Sequence, residues 1–254
     1  MRHRDGFANS RHGYTFAMAE RSGQRQPSSE PAWEDVLRAG VEAQRLVPGA
    51  IAVGGTAAAL YAQHRLSVDT DHLLPDLSER FEEVREALDA SPDWKAARVH
   101  ARKLILGSLG GVPVGFRQMI RSTPVATTRL DTSAGPLVVP TLDELLGMNA
   151  YLAYSRGATR DFLDFAALAC CLNQDAVLAA LLLSDARYGE LQSDSVALEI
   201  AKTLTEPQPF DLDSLDLSTY KGIRPPWETW SHCEAICKSW GVKLADALFQ
   251  GGQS

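Results

Sequence analysis

Between residues 50 and 64 the chain reads Ala50-Ile51-Ala52-Val53, then Gly54-Gly55, then Thr56-Ala-Ala-Ala-Leu-Tyr-Ala-Gln-His64. A short apolar run is stopped by two glycines and followed at once by an alanine-rich, helix-favouring segment, which predicts strand, tight turn, helix. Such a junction leaves the first backbone N–H groups of the helix without intrahelical partners, pointing at whatever lies above the turn. An anion is the natural guest, because a Cβ at the turn would hinder its approach and the helix terminus favours negative charge. The Thr56 hydroxyl is placed to donate to the same guest. The alternative is a plain strand-to-helix connection.

A second strand is expected at Ser67 to Leu74, closed by Pro75-Asp76, and it carries Ser67-Val68-Asp69-Thr70-Asp71. Alternate residues of a strand share a face, so Asp69 and Asp71 would stand side by side and repel. Two exposed strand-end acids would tolerate this in water. A magnesium ion would resolve it in a site, since Mg2+ takes a few carboxylates plus phosphate oxygens, and two such ions can clamp an in-line phosphoryl displacement.

The other segments fall into two halves. Residues 1–31 end in Gln26-Pro-Ser-Ser-Glu-Pro31 and are expected to be disordered, or an expression remnant. A helix is predicted at Trp33 to Leu46, another at Glu79 to Ala90, and a hairpin at Lys103 to Leu109 and Val112 to Arg117 around Gly110-Gly111. Pro136 to Pro140 reads as a strand. Thr141 and Glu144 then have capping-box spacing. Helices are expected at Leu142 to Tyr154, Arg160 to Leu172, Gln174 to Leu183, after Asp194, and at Trp227 to Leu248, the last preceded by an acidic, proline-rich loop at Glu206 to Asp216. The expected fold class is α+β: a mixed β-sheet core with flanking helices over 32–140, then a helical region over 141–254 that completes a cleft.

Composition narrows the function classes. The 254 residues are 45% apolar, enough for a core, and the longest apolar runs are far below the ~20 residues of a spanning helix. Met1 to Gln26 lacks an apolar signal region, so a soluble, cytoplasmic protein with no membrane partner is expected. Cys170-Cys171 and Cys233-x-x-x-Cys237 read as buried thiols of a reducing compartment rather than a zinc site. A net charge of −7 argues against a surface that grips nucleic acid everywhere. It leaves room for a local patch at Arg98, His100, Arg102 and Lys103, followed by Arg117, Arg121 and Arg129; the competing reading is a solvated face. His64 and His72 flank the acids and read as surface or supporting residues.

Four pieces in order, Gly54-Gly55-Thr56, Arg65-x-Ser67-x-Asp69-x-Asp71, Pro140-Thr141-Leu142-Asp143-Glu144-Leu145 and Arg156-x-x-x-Arg160-Asp161-x-x-Asp164, resemble the nucleotidyltransferase superfold of polymerase-beta type. Within it they are similar to the AbiEii/AbiGii-type toxin-like nucleotidyltransferases, over roughly residues 36–183. The resemblance implies a nucleoside triphosphate held by Gly54, Gly55 and Thr56, with Arg65, Ser67, Arg160 and Asp161 lining its site. It also implies a two-ion magnesium site on Asp69 and Asp71. Lys103 on a predicted strand is a further candidate for the triphosphate, and Asp164 for a third catalytic acid. On the residues alone, Asp161 and Asp164 are one helical turn apart and share a face; the competing reading is helix N-terminal acids that complement the dipole, with Arg160 paired to one of them.

The implied reaction moves a nucleoside monophosphate from an NTP to an acceptor hydroxyl of RNA, such as a tRNA end, or of protein. The implied setting is a toxin–antitoxin or phage-defence system with a cognate antitoxin. Two positions depart from the pattern: Asn149 stands where the family carries a lysine, and Val112 to Phe116 offers no acid where the superfold has one on a later strand. They leave open a nucleotide-binding module that has lost turnover. A small-molecule, antibiotic-type nucleotidyltransferase shares the same core motifs.

Overall fold

The computed structural model describes residues 30–191 and 194–251, so most of the expected N-terminal disorder lies outside the described residues. The chain opens with α1 (Trp33–Leu46), β1 (Ile51–Val53), α2 (Gly54–Ala62), β2 (Thr70–Leu74) and α3 (Phe81–Asp89). Five strands follow: β3 (Trp94–His100), β4 (Leu104–Leu109), β5 (Val112–Gln118), β6 (Thr127–Thr132) and β7 (Gly135–Pro140). The remainder is helical: α4 (Leu142–Ser155), α5 (Thr159–Ala169), α6 (Gln174–Leu182), α7 (Ser184–Tyr188), α8 (Val196–Thr205) and α9 (Trp230–Gly251). The fold class is α+β, as expected.

The main sheet has the order β1-β2-β5-β4-β3. β2 and β5 run parallel and the other neighbours antiparallel, so the sheet is mixed. Gly110 and Gly111 both have positive φ, which is what a two-residue hairpin turn between β4 and β5 demands. One face of the sheet is sealed by Val36, Ala39 and Ala43 of α1 and Phe81, Val84 and Leu88 of α3, packed on Trp94, Ile105, Val114 and Phe116. On that face the Trp94 ring lies where a Cβ on Gly107 would stand. β3 is not expected from the sequence, where Arg98 and His100 stand out only as part of a basic run, because its exposed residues from Lys95 onward carry no alternation. β6 was likewise missed; its half-exposed Thr-Thr-Arg-Leu-Asp-Thr pairs only with β7.

A second core joins Ala52, Ala57 and Ala58 of the first half, Leu137 and Val139 of β7, and the inner faces of α4, α5, α6, α8 and α9. Thr141 does occupy the N-cap of α4, but its side chain makes no capping bond. The capping box is not formed because Glu144 is buried between Arg121 (2.7 Å) and Arg187 (3.1 Å). The cysteines split: Cys233 and Cys237 on α9 are buried, and burial pushes the Cys233 thiol up to about 12. Cys170 and Cys171, at the end of α5, are exposed, against expectation, because that helix end faces outward.

Candidate functional site

Val53 is extended and Gly54 takes φ +64, a left-handed turn that brings α2 off β1 within one residue. An ideal Cβ on Gly54 would meet nothing within 4 Å, so the conformation, not crowding, selects glycine there, and the space above is open. Gly55 is different: a Cβ would lie 2.7 Å from an Arg65 guanidinium nitrogen and 3.0 Å from the Ser67 hydroxyl. Its hydrogen atom makes room for protein, not only for a ligand. Gly55→Ala is expected to cost about 1–3 kcal/mol, the usual range for overpacking, measured by chemical denaturation; an unchanged midpoint would show that Arg65 simply swings away.

The acids come next. Asp69 lies in the bend just before β2, not on the strand, and its carboxylate accepts a bond from Ser67 Oγ (2.9 Å). Its backbone carbonyl accepts the Thr56 hydroxyl at 2.6 Å. Thr56 is therefore spent on fastening Asp69 to α2 and is buried, rather than offering its hydroxyl to a ligand as expected. Burial, and then the Asp71 charge, hold the Asp69 carboxyl above its ordinary value, while Ser67, Arg160 and Arg65 pull the other way. Asp71 is on β2, half-exposed, with Arg117 Nε 3.5 Å from its carboxylate. Gly115, its partner on β5, is needed because a Cβ there would stand 2.3 Å from Asp71 Oδ1. The strand position where an acid was missed is thus filled by the Asp71 carboxylate itself, and two residues on the same face carries a cation, Arg117.

The helical half supplies the other wall. Asp164 is buried and both its oxygens are taken: Oδ1 by His64 Nε2 (2.7 Å) and Arg65 Nε (2.8 Å), Oδ2 by Arg65 Nη2 (2.8 Å). Burial opposes its ionisation, but Arg65 and His64 outweigh it and hold the carboxyl well below the usual range. The expected third acid is therefore the anchor of Arg65. His64, read as a surface or supporting residue, is buried in that triad, with an edge contact to Trp227; only its place directly before Arg65 could have hinted at it. Tyr220 lies 5.3 Å from the same guanidinium, and burial first raises its hydroxyl to about 12. His72 is fully buried, stacks on Phe116 and is pushed down to about 4 by burial.

Asp161 is bound at both oxygens by Arg156, with Nε at 2.7 Å. Arg156 is half-buried and its charge is stabilised by Asp161, Asp71 and Asp164 against the cost of burial. Asn149 turns back on its own helix, donating to the Leu145 carbonyl at 2.9 Å. The site thus gathers Asp69, Asp71, Arg65, Arg117, Arg156 and Arg160 around the open turn at Gly54. Lys103 is not among them: it sits in the exposed turn before β4, and the register sets Leu106 beside Gly115. Among the described residues no three His, Cys, Asp or Glu side chains gather as a metal cluster. Asp69 and Asp71 form a two-carboxylate set whose mutual repulsion a divalent cation would relieve.

No family model matches the chain. It is similar to the mycolic acid-containing lipids exporter MmpL11 of Mycolicibacterium smegmatis, 30% identical over 129 residues, 50% of this chain and 13% of that protein. It is also similar to the heme uptake protein MmpL11 of Mycobacterium tuberculosis, 33% identical over 118 residues, 45% of this chain and 12% of that protein. The matched stretches are thus a small part of those relatives. Among the described residues no helix is long and apolar enough to cross a membrane. The chain is also similar to three solved structures. A candidate nucleotidyltransferase from H. pylori is 13% identical, with 86% of this chain and 95% of that chain covered and a TM-score of 0.49. An antigenic nucleotidyltransferase-like protein from Paracoccidioides brasiliensis is 16% identical, covering 62% and 90%, with a TM-score of 0.41. The antibiotic-resistance factor ANT(2'')-Ia is 12% identical, covering 62% and 94%, with a TM-score of 0.45.

Proposed function

We propose that the chain is a nucleotidyltransferase, moving a nucleoside monophosphate from an NTP to an acceptor hydroxyl with release of pyrophosphate. The observation that carries this reading is the pairing of an open, left-handed glycine turn at a helix N-terminus with two mutually repelling carboxylates, Asp69 and Asp71. A triphosphate fits the turn, and magnesium fits the acids, which would hold it together with phosphate oxygens. When bound, magnesium supplies neutralisation of charge on the triphosphate and on the leaving group. Arg65, fixed by Asp164 and lying over Tyr220, is the preorganised cation beside the turn, and Arg156 and Arg160 add charge from the helical side. In the reaction the acceptor oxygen bonds to the α-phosphorus, the bond to the β-phosphate oxygen breaks, and the acceptor proton passes to water. With no acid on β5 to take that proton, turnover lacks a contribution of about 10²–10⁴.

The finer setting follows the sequence resemblance: an acceptor on RNA or protein, an AbiEii/AbiGii-like role in a toxin–antitoxin or phage-defence system, and action in the cytoplasm. Two observations favour a second reading. Arg117 occupies Asp71 where a third acid would support catalysis, and Asn149 is bonded to its own helix, which suits a binding module that no longer turns over. The test is incubation with each α-labelled NTP, magnesium and either total RNA or total protein. Label transfer that stops on adding EDTA supports the enzyme. Saturable nucleotide binding with no transfer to RNA, protein or an aminoglycoside-type acceptor would leave the module.

A further inference from the structure

The register extends the Asp71 face across the sheet. Asp71 on β2 lies opposite Gly115 on β5, Gly115 opposite Leu106 on β4, and Leu106 opposite Arg98 on β3. The next row runs from Leu73 through Arg117 and Leu104 to His100. A Cβ on Gly115 would touch both Asp71 and Leu106, so these side chains do share the face. Arg98 and His100 reach it only because β3 is irregular: the register shifts between Ala96 and Arg98, leaving Ala97 unpaired. In a regular strand Arg98 and His100 would point to the opposite, apolar face. The bulge turns them over, a device that recurs beside functional sites. Lys95, before the shift, is on the same side.

Resting on the transferase reading, we infer that this open sheet face is the acceptor track, and that the acceptor is a nucleic-acid strand lying from β3 towards Asp71. Arg98 is about 14 Å from Asp71, three inter-strand steps of ~4.8 Å, a span that suits several nucleotides. Lys95 and Arg98 on this face, and Arg102 and Lys103 in the turn after β3, are exposed, and none makes an ion pair among the described residues. Arg98 Nε donates to His100 Nε2 at 2.7 Å, leaving the rest of its guanidinium for a phosphate. Between these cations and Arg117 lie half-exposed Leu104, Leu106 and Pro113, which give bases an apolar bed between phosphate contacts. In a chain of net charge −7 this concentration of cations is local, so a polyanion is steered to one face. Protection of an exposed sheet edge would account for the charges and the bulge on β3, but not for Arg117 on β5 and the half-exposed Leu104 and Leu106 on β4 that continue the same face towards Asp71.

The test is fluorescence anisotropy with a labelled mixed-sequence single-stranded RNA of about 12 nucleotides, at about 50 and about 200 mM salt. The unmodified chain should bind, and more weakly at the higher salt. Arg98→Glu and Lys95→Glu should each weaken binding about tenfold and flatten its salt dependence, with nucleotide binding and thermal midpoint unchanged. Arg38→Glu, the same charge change on the solvent side of α1, should leave RNA binding within about twofold. Equal binding by Arg98→Glu and the unmodified chain overturns the inference, as does tighter capture of poly-glutamate than of RNA. Failure of nucleotide transfer with RNA capture intact counts against the transferase reading alone, since this measurement requires no turnover.

Discussion

Asp71→Asn is expected to lower nucleotide transfer by at least about 10²-fold, the scale on which a charge acting at the reacting centre is felt. Asparagine keeps the size of the side chain and its place beside Gly115, so packing is preserved and only charge and metal affinity change. Loss of the negative charge also removes the repulsion that raises the Asp69 carboxyl. The substitution therefore weakens magnesium binding while making Asp69 easier to ionise. Binding of nucleotide without metal should change little, because Gly54, Arg65 and Arg156 are untouched. Single-turnover transfer at saturating NTP measures the effect. Transfer by the variant at the unmodified rate would sink the assignment of Asp71 to the reacting centre.

The second large effect is on stability. Asp164→Ala would strand the Arg65 guanidinium and the His64 imidazole in a buried site without their shared partner, and breaking such a pair costs about 3–5 kcal/mol. Urea denaturation of the two proteins measures it. A loss below about 1 kcal/mol would show that Arg65 and His64 find water or new partners. The pH dependence has a definite sign. The folded carboxyl lies below its unfolded value, so its contribution is complete above roughly pH 4 and is lost as pH falls further. The Ala variant should accordingly show a shallower acid limb, its stability converging on that of the unmodified protein as pH drops.

Much of this was legible in the sequence where local rules dominate. The run from Val53 through Gly54 to Thr56 announces its turn because glycine takes the left-handed angle without steric cost, and Gly110-Gly111 announces a hairpin for the same reason. What escaped was decided by long-range pairing. Lys95 to His100 has no alternating pattern because β3 is an edge with a bulge, so nothing in the run distinguishes strand from loop. The resemblance made Asp164 a candidate third acid, and its spacing from Asp161 fixes a helix face but not a partner; Arg65, 99 residues away, is the partner it takes. Thr56 read as a ligand donor because the backbone carbonyl it serves, that of Asp69, comes close only in the folded chain. Glu144 likewise read as a cap, and its burial between Arg121 and Arg187 is a property of the packed helices.

The segment His64 to Leu66 is held from both sides by the loop before α9: Leu66 N–H donates to the Lys221 carbonyl at 2.7 Å, and Arg224 N–H donates to the His64 carbonyl at 2.9 Å. Asp211 of the same loop receives the N–H and hydroxyl of Thr159 at the start of α5. The residues that lead into the acid pair and the helix that bears Asp164 are thus tied to one strap from the last fifth of the sequence. Whatever a partner does to that strap, by pressing on it or peeling it away, reaches Asp69 through a few covalent bonds, without any change to the glycine turn or the acids themselves.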